Sequence, residues 1–325
     1  MRAILVRRFG EPEVLEPGDS PDPRPGPGQV LVRLEAAGVN FSDTERRRAL
    51  YRVPPLPWIP GNEGAGVVEA LGEGVDGAWA GARVAFWSFE SSGTYAEYAV
   101  SPTHSLFRVP DAVSLDIAAA LPVQGLTAYG LTHYATSLHA GQSALVHAAA
   151  GGVGLLLIQL LRLRGVQVFG TASTPANLEL VRSMGATPLP YGDGLAEGIR
   201  AVRGVPVVDA VFDSVGRATQ DQSLSLLGLY GHLVFFGDAS GPPRAIDPDA
   251  LYGKSLRISA FGLGAHPPQE LAKAREELLR WVATGGLRVH VGHVLPLDRA
   301  AEAHRLLEGR QSQGKILLRT KAEAR

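Results

Sequence analysis

The sequence predicts an α/β protein in which a doubly wound parallel sheet is inserted into a mainly β domain. Short β segments separated by Pro and Gly occupy residues 1–122, apolar strands alternate with helices over residues 123–262, and a mixed α/β tail covers residues 263–325. We expect the tail to return to the first domain, so that residues 123–262 form an inserted unit and a cleft separates the two bodies.

The first domain is predicted to be a partly antiparallel β structure. Its strand candidates are short, rich in β-branched or aromatic residues and bounded by turn residues: MRAILVRRF (1–9), QVLVRLEAAGV (29–39), GAGVVEAL (64–71), ARVAFWS (82–88) and TYAEYAV (94–100). The tail adds an amphipathic helix over 268–286, a strand over 291–297, a helix over 298–310 capped by Asp298, and a strand over 314–319.

The inserted unit is predicted to be a parallel sheet covered by helices on both faces, because its strand candidates are apolar and separated by helices. The strand candidates are SALVHAA (143–149), VQVFGTA (166–172), VVDAVFDSVG (207–216), GHLVFFG (231–237) and SLRISAFG (255–262). The helix candidates are VGLLLIQLLRLR (153–164) ended by Gly165, a second opened by Thr174 and Pro175 and ended by Gly185, and QDQSLSLLGL (220–229).

The composition narrows the possible functions. The 325 residues suffice for roughly two domains, 45% of them are hydrophobic, and a formal net charge of −1 gives no support for nucleic acid or an anionic membrane as a partner. The absence of cysteine excludes disulfides, thiolate zinc sites and a cysteine nucleophile. We expect a cytoplasmic protein, because the N-terminus resembles neither a signal peptide nor a membrane span. The run Arg46–Arg48 predicts a solvated helix face.

Residues Ala149 to Gly154 lie in the register of the dinucleotide fingerprint Gly-x-Gly-x-x-Gly, at a strand-to-helix turn. Gly151 lets the backbone approach a pyrophosphate, and Gly154 permits close packing of the helix on the strand. Ala149 occupies the first position, where a methyl group is tolerated if φ stays negative. We therefore predict a dinucleotide site whose phosphates lie at the helix N-terminus.

The end of the second strand favours NADP over NAD. An acid there would bind the ribose 2′-hydroxyl and repel a 2′-phosphate, and the segment 169–174 contains neither Asp nor Glu. Ser173 and Thr174 have hydroxyl groups suited to a phosphate, although simple capping of the following helix explains them equally well.

Seven segments together resemble one known family: AAGVNFSDTERRRALY (36–51), PGNEGAGVV (60–68), LPVQGLTAYGLT (121–132), VHAAAGGVG (146–154), VFDSVG (211–216), FFGDASG (235–241) and GRQSQGKILL (309–318). They are similar to the zinc-independent quinone oxidoreductases, the zeta-crystallin-like branch of the medium-chain dehydrogenase/reductase superfamily. The resemblance covers nearly the whole chain. It implies a GroES-like catalytic domain, an inserted Rossmann domain, a homodimer, and hydride transfer from NADPH to a quinone.

The resemblance also implies site residues. Asn40 and Asp43 would lie beside the nicotinamide, Tyr51 at the substrate entrance, and Gln124 and Thr127 at the nicotinamide end of the linking helix. The other expected cofactor contacts are Ala150, Gly151, Gly152 and Val153 at the pyrophosphate, Ser173, Asn177, Tyr191 and Arg310 around the adenosine and its 2′-phosphate, Phe236 and Gly237 at the nicotinamide ribose, and Ser214 and Phe261.

Two departures from the family pattern bear on specificity. Asn177 stands where relatives offer a lysine to the 2′-phosphate, so Arg310 must supply most of the positive charge and NADH is also possible. Glu45 stands where some relatives have a second pocket tyrosine, which alters the pocket or leaves Glu45 to pair with Arg48.

We expect no metal. Asn62 replaces the histidine of the zinc branch and the chain has no cysteine, while His290 and His293 have a structural role.

The expected chemistry needs no general acid. A quinone accepts a hydride readily, Tyr51 or Asn40 could donate to the developing oxyanion, and solvent supplies the proton. The same argument admits NADPH-dependent reduction of an enone or alkenal C=C bond. A non-catalytic NADPH-binding protein is the alternative from another class. Such a protein could lose Asn40, Gln124 and Thr127, and the presence of all three argues against it.

Overall fold

A computed structural model of the chain describes residues 1–267 and 269–320, which form two compact units. The first unit comprises Met1–Leu126 and the chain from Pro267 onward, and the second comprises Thr127–His266. Each boundary lies four residues beyond the predicted one, at 126 rather than 122 and at 266 rather than 262.

The first unit is mainly β. Its elements up to the boundary are β1 (Arg2–Leu5), β2 (Glu16–Asp19), β3 (Gln29–Val39), α1 (Phe41–Arg47), β4 (Glu63–Leu71), β5 (Arg83–Trp87), β6 (Tyr98–Pro102), β7 (Leu106–Arg108), α2 (Leu115–Ala119) and α3 (Pro122–Gly130), the last crossing into the second unit.

The second unit is a doubly wound α/β structure. Its elements are β8 (Ser143–Val146), α4 (Gly152–Leu163), β9 (Gln167–Ala172), α5 (Pro175–Ser183), β10 (Thr187–Pro190), α6 (Leu195–Arg203), β11 (Val208–Asp213), α7 (Gln220–Ser225), β12 (Leu227–Phe235), α8 (Asp249–Tyr252) and β13 (Arg257–Ala260). The chain then returns to the first unit with α9 (Ala272–Ala283), β14 (Val291–Pro296), α10 (Ala300–Glu308) and β15 (Lys315–Arg319).

The main sheet of the first unit is built around β3, the longest strand. The order is β14–β15–β3–β4–β5–β7, with β6 also paired to β3, and β3 is antiparallel to β4, β6 and β15. Side chains alternate between buried and half-buried along most of β3, as the period of a strand with one covered face requires. One core cluster, which includes Ile4, Tyr95 and Leu318, packs β1 and β15 against α10.

The sheet of the second unit is parallel throughout, in the order β10–β9–β8–β11–β12–β13. Its central strand β8 is buried at every position, because helices cover both faces. The predicted fold class is therefore confirmed: a doubly wound parallel sheet is inserted between two parts of a mainly β unit.

Several local predictions were wrong. The segment 94–100 becomes strand only at Tyr98, because Ala96 forms a single isolated bridge with Ala3. The helix over 220–229 ends at Ser225, since Leu227 already pairs as the first residue of β12. Asp298 does not cap the last helix: it lies in a 3₁₀ turn, and α10 begins after Arg299 without a side-chain cap.

Candidate active site

The loop from Ala149 to Gly154 forms the strand-to-helix turn that its sequence predicts, between β8 and α4. Gly151 is the N-cap of α4 and offers no side-chain acceptor to the first N–H groups of the helix. A Cβ atom at Gly154 would lie 2.7 Å from both the Cα and the carbonyl oxygen of Ala149, which is backbone that cannot yield. The close helix-on-strand contact thus requires glycine at 154, and the N–H groups at the helix start, which have no side-chain cap, fit a diphosphate.

Ala149 is tolerated in the first fingerprint position because the conformational strain lies one residue earlier. Ala149 is fully buried, whereas Ala148 has a φ of +49°. The backbone N–H of Ala148 donates to the Tyr191 hydroxyl at 2.8 Å, and Gly151 N–H donates to the Ala148 carbonyl at 3.0 Å. The turn is therefore held by hydrogen bonds at Ala148 and leaves room for the methyl of Ala149.

Of the residues expected around the adenosine, Ser173 follows β9, Asn177 lies in α5, Tyr191 follows β10, and Arg310 follows α10. Thr174 Oγ1 accepts the N–H of Asn177 at 3.2 Å, so Thr174 caps α5. Ser173 is exposed, and the Tyr191 ring stacks against His147 with 5.9 Å between centroids. Arg310 is exposed in the first unit, with a φ of +55°.

The residues expected near the nicotinamide ribose lie at the carboxyl ends of β11 and β12. Phe236 N–H donates to the Asp213 carbonyl at 3.0 Å, and a Cβ at Gly237 would lie 3.1 Å from the Ser214 carbonyl oxygen. Ser214 and Gly237 are therefore neighbours at the edge of the sheet where ligands of this fold bind. Phe261 is buried, with its ring against Gly130 of α3.

The linking helix α3 carries Gln124 and Thr127 on either side of the unit boundary. Both side chains are at least nine-tenths buried, and Gln124 Oε1 has no hydrogen-bond partner among the described residues. A buried acceptor without a donor is costly, so the amide of Gln124 fits a ligand that supplies an N–H group, as a carboxamide does.

Asn40 is held by a buried ion pair in the first unit. Its Nδ2 donates to the Glu63 carboxylate at 2.8 Å, and its Oδ1 accepts from Lys315 Nζ at 2.7 Å. Lys315 also contacts Glu63 directly, and both side chains are buried. The other Glu63 oxygen accepts the Val123 N–H at 2.7 Å, which ties this group to the start of α3. Asn40 is thereby fixed in one orientation.

Asp43 acts within the protein rather than facing an open pocket. Its carboxylate is fully buried and accepts the N–H of Asn40 at 2.9 Å, the Asn62 amide at 3.0 Å and the Tyr95 hydroxyl at 3.3 Å. Burial raises the pKa of Asp43 to about 6. Asp43 therefore closes the first turn of α1 and positions Asn40.

The prediction of a solvated face at Arg46–Arg48 was wrong for two of its three residues. Arg46 and Arg47 are buried, and Arg48 alone is exposed. Arg47 Nη2 binds Glu308 at 2.7 Å, and its Nη1 lies 3.3 Å from His304 Nδ1. Both partners lie in α10, far from Arg47 in the sequence, and their contacts with the guanidinium compensate for its burial in the core.

His304 continues this buried network. Its Nε2 lies 3.1 Å from the Tyr95 hydroxyl, which also contacts Asp43. Burial, followed by the nearby Arg47 charge, lowers the pKa of His304 to about 3. The imidazole is consequently neutral in the folded protein at physiological pH.

Tyr51 is half-buried beside a cluster of aromatic and cationic side chains. Its hydroxyl accepts from Arg52 Nε at 3.0 Å, and its ring meets Phe89 edge-on at 6.3 Å. The hydroxyl hydrogen remains able to donate to a ligand.

The residues present do not fit a catalytic zinc. The chain has no cysteine, and Asn62 uses its amide to accept from Arg46 and to donate to Asp43. Over residues 1–267 and 269–320, no three His, Asp or Glu side chains are grouped as metal ligands, and His290 and His293 form no such site. No helix in the same ranges is long and apolar enough to cross a membrane.

Glu63 and Lys315 were not predicted as site residues. Each lies in a segment that carried the family resemblance, PGNEGAGVV and GRQSQGKILL. An acid and a lysine within otherwise apolar or glycine-rich runs were the available signal, since buried charges are rare unless paired.

Comparison with known proteins gives two family models that match parts of the chain and relatives that match nearly all of it. A family model described as an alcohol dehydrogenase GroES-like domain matches residues 26–111, and one described as a zinc-binding dehydrogenase matches residues 193–318. The quinone oxidoreductase of Pseudomonas aeruginosa is 37% identical over 322 residues, covering 98% of this chain and 99% of the relative.

Solved structures agree with these matches. The Escherichia coli quinone oxidoreductase complexed with NADPH superposes with a TM-score of 0.92 at 33% identity, covering 98% of this chain and 100% of the other. A 2-haloacrylate reductase superposes with a TM-score of 0.84, also at 33% identity, covering 99% and 100%.

Proposed function

Because the chain belongs to the quinone oxidoreductase family of the medium-chain dehydrogenase/reductase superfamily, we propose that it is an NADPH-dependent oxidoreductase that reduces a quinone. The observation that carries the proposal is the oriented Asn40 amide, held between Glu63 and Lys315. One amide hydrogen is used by Glu63, and the second is free to meet an acceptor oxygen.

NADPH is the cofactor in this proposal and supplies the hydride. Its diphosphate would be held by Ala150, Gly151, Gly152 and Val153 at the start of α4, where the N–H groups have no side-chain cap. Gln124 and Thr127 would bind the carboxamide end, with Ser214, Phe236, Gly237 and Phe261 along the ribose. The adenosine and its 2′-phosphate would be surrounded by Ser173, Asn177, Tyr191 and Arg310. Because Asn177 is neutral and replaces a lysine, NADH is a second possible donor.

The protein's part in the reaction is positioning. A quinone takes a hydride without a Lewis acid, because its negative charge is delocalised as it forms. Asn40 and Tyr51 donate hydrogen bonds to the developing oxyanion, Asp43 keeps Asn40 in place, and solvent supplies the proton.

The test is a panel of acceptors mixed with enzyme and either NADPH or NADH, with loss of the reduced-nicotinamide absorbance followed against a protein-free blank. We expect turnover with quinones and a higher kcat/KM with NADPH. Tyr51→Phe and Asn40→Ala should each lower kcat by less than about 10³-fold, since neither is an essential general acid. Absence of turnover with every acceptor would leave a non-catalytic nucleotide-binding protein.

Reduction of an activated C=C bond is the second candidate. The structural similarity to a 2-haloacrylate reductase favours it, because that protein's name describes an alkene acceptor. Enones and alkenals in the same panel discriminate the two: a kcat/KM for enones above that for quinones would assign the chain to C=C reduction. We also propose a homodimer in the cytoplasm, which sedimentation and localisation of the tagged protein would check.

A further inference from the structure

A cavity of about 430 Å³ lies within the first unit, and the function proposed above makes no use of it. Aromatic and proline side chains form much of its wall, including Trp58, Phe89, Pro54 and Pro57. Arg46 is the one charged residue among the described residues that line it, and no carboxylate does so. The cavity therefore combines aromatic and apolar side chains with a single positive charge.

Arg46 is buried without an acidic partner of its own. Its side chain belongs to a residue that is 8% exposed, and the one hydrogen bond that the guanidinium makes among the described residues is from Nη1 to the neutral Asn62 amide. Its Nε is buried and has no acceptor in the described part of the chain. The Asp43 carboxylate attracts the charge of Arg46, but it is linked to the guanidinium only through Asn62.

The guanidinium also lies close to two aromatic rings. Its central carbon lies 4.8 Å from the centroid of Trp58 and 5.7 Å from that of Phe89. Nη1 is engaged by Asn62 and Nε is buried, so Nη2 is the donor left to meet a ligand oxygen such as that of a carboxylate.

Arg47, the next residue, is a buried arginine with a purely structural role, and it serves as a comparison for Arg46. Arg47 is fully buried and makes a bidentate ion pair with Glu308, a further contact to His304 and a bond to the Gly10 carbonyl. Arg46 makes no such direct ion pair, and the Asp43 carboxylate, which lies on the far side of Asn62, only partly offsets the cost of burying its charge. The difference points to a counter-ion that arrives from outside the chain.

We propose that this cavity binds a planar, conjugated carboxylate, whose acid group pairs with Arg46 and whose flat body lies against Trp58 and Phe89. The two rings supply apolar and π contact to a flat body, and the prolines add apolar surface. The site needs no nucleotide, and it goes beyond the hydride transfer proposed above.

The test compares 2-naphthoate with 2-naphthamide, which share shape and differ in charge, by titration calorimetry on the full chain without nucleotide. The wild-type protein should bind the carboxylate at least about tenfold more tightly than the amide. Arg46→Gln should abolish that preference, and Arg46→Lys should retain part of it. Arg48→Gln, which removes the exposed neighbouring charge, is the matched control and should keep the full preference.

Each binding result either supports or overturns the proposed carboxylate site. Equal binding of the two compounds by the wild type, or binding of neither, overturns the proposal, as does an Arg46→Gln protein that melts like the wild type and still prefers the carboxylate. If Arg46→Gln does not fold, the wild-type and Arg46→Lys titrations decide. Because no NADPH is present, failure of the proposed hydride transfer would leave this result unchanged.

Discussion

The side-chain amide of Asn40 donates to the carboxylate of Glu63 across 2.8 Å. These residues stand on the end of β3 and the start of β4, which are antiparallel neighbours in the sheet. Lys315, at the start of β15, completes the group from the opposite side of β3. Three strands therefore cooperate to fix one amide, and the proposed activity depends on that orientation.

Glu63→Gln should damage both the stability and the proposed activity. It leaves Lys315 buried with a neutral partner, so we expect a loss of about 3–5 kcal/mol in the free energy of unfolding. Asn40 loses its orientation, and kcat/KM should fall by up to about 100-fold. Denaturant titration and steady-state kinetics measure the two effects.

Glu69→Gln on the same strand is the control, because Glu69 forms an exposed ion pair with Arg33. It should change stability by less than about 1 kcal/mol and leave kcat/KM unaltered. Equal effects of the two substitutions would refute a special role for Glu63.

Gly154→Ala should weaken NADPH binding. The added methyl would lie 2.7 Å from Ala149 backbone atoms, so α4 must move away from β8, at a cost of about 1–3 kcal/mol in stability. We expect the Kd for NADPH, measured by nucleotide fluorescence, to rise at least about tenfold. Gly194→Ala is the matched control, since a Cβ at Gly194 meets open space. An unchanged Kd in Gly154→Ala would contradict the proposed diphosphate site at the start of α4.

Arg310→Ala should reduce the preference for NADPH over NADH. Asn177 cannot supply a charge, so Arg310 is the proposed cation at the 2′-phosphate, and a lost charge-assisted bond is worth about 10- to 100-fold in Kd for NADPH. Binding of NADH should not change. Arg8→Ala removes an exposed arginine elsewhere in the first unit and should affect neither nucleotide. If the wild-type protein turns over faster with NADH than with NADPH, the assignment of Arg310 to the 2′-phosphate is incorrect.

Asp43 and His304 should impose opposite pH dependences on stability. The pKa of His304 falls from 6.5 to about 3 on folding, so its contribution is present above pH 6.5 and is lost as the pH decreases toward 3. The pKa of Asp43 rises from 3.8 to about 6, so the native carboxyl keeps a proton that the unfolded one releases, and stability falls as the pH increases from 3.8 to 6. Between pH 4 and 6 the two effects oppose each other.

Single substitutions should separate the pH dependence of stability due to Asp43 from that due to His304. Relative to wild type, the free energy of unfolding of Asp43→Asn should rise with pH between 4 and 6, and that of His304→Gln should fall, each by up to about 1.4 kcal/mol per pH unit. Urea titrations at several pH values measure the slopes. Slopes that change in the same direction in both variants would contradict the assigned pKa shifts.

The sequence predicted what depends on local pattern. The strand-to-helix turn was predicted with its substitution at Ala149, since the demand for close packing of helix on strand lies at Gly154. The short strand β10 was not predicted, because TPLP contains two prolines, which are poor strand formers. The helix α6 was not predicted either, and it carries a glycine, a poor helix former, at position 198.

Burial of charge could not be predicted, because it depends on partners far along the chain. Glu63 and Lys315 are 252 positions apart, and Arg47 meets Glu308 across 261. Nothing in the run Arg46–Arg48 distinguishes the exposed arginine from the two buried ones until α10 and the cavity wall are in place.

The most direct test of the account is the rate of NADPH oxidation with 1,4-benzoquinone after exhaustive dialysis of the protein against a metal chelator. Hydride transfer positioned by Asn40 and Tyr51 predicts a rate above the protein-free blank that dialysis does not change and that Glu63→Gln lowers. A rate no greater than the blank, or one that chelation abolishes and added zinc restores, would contradict it.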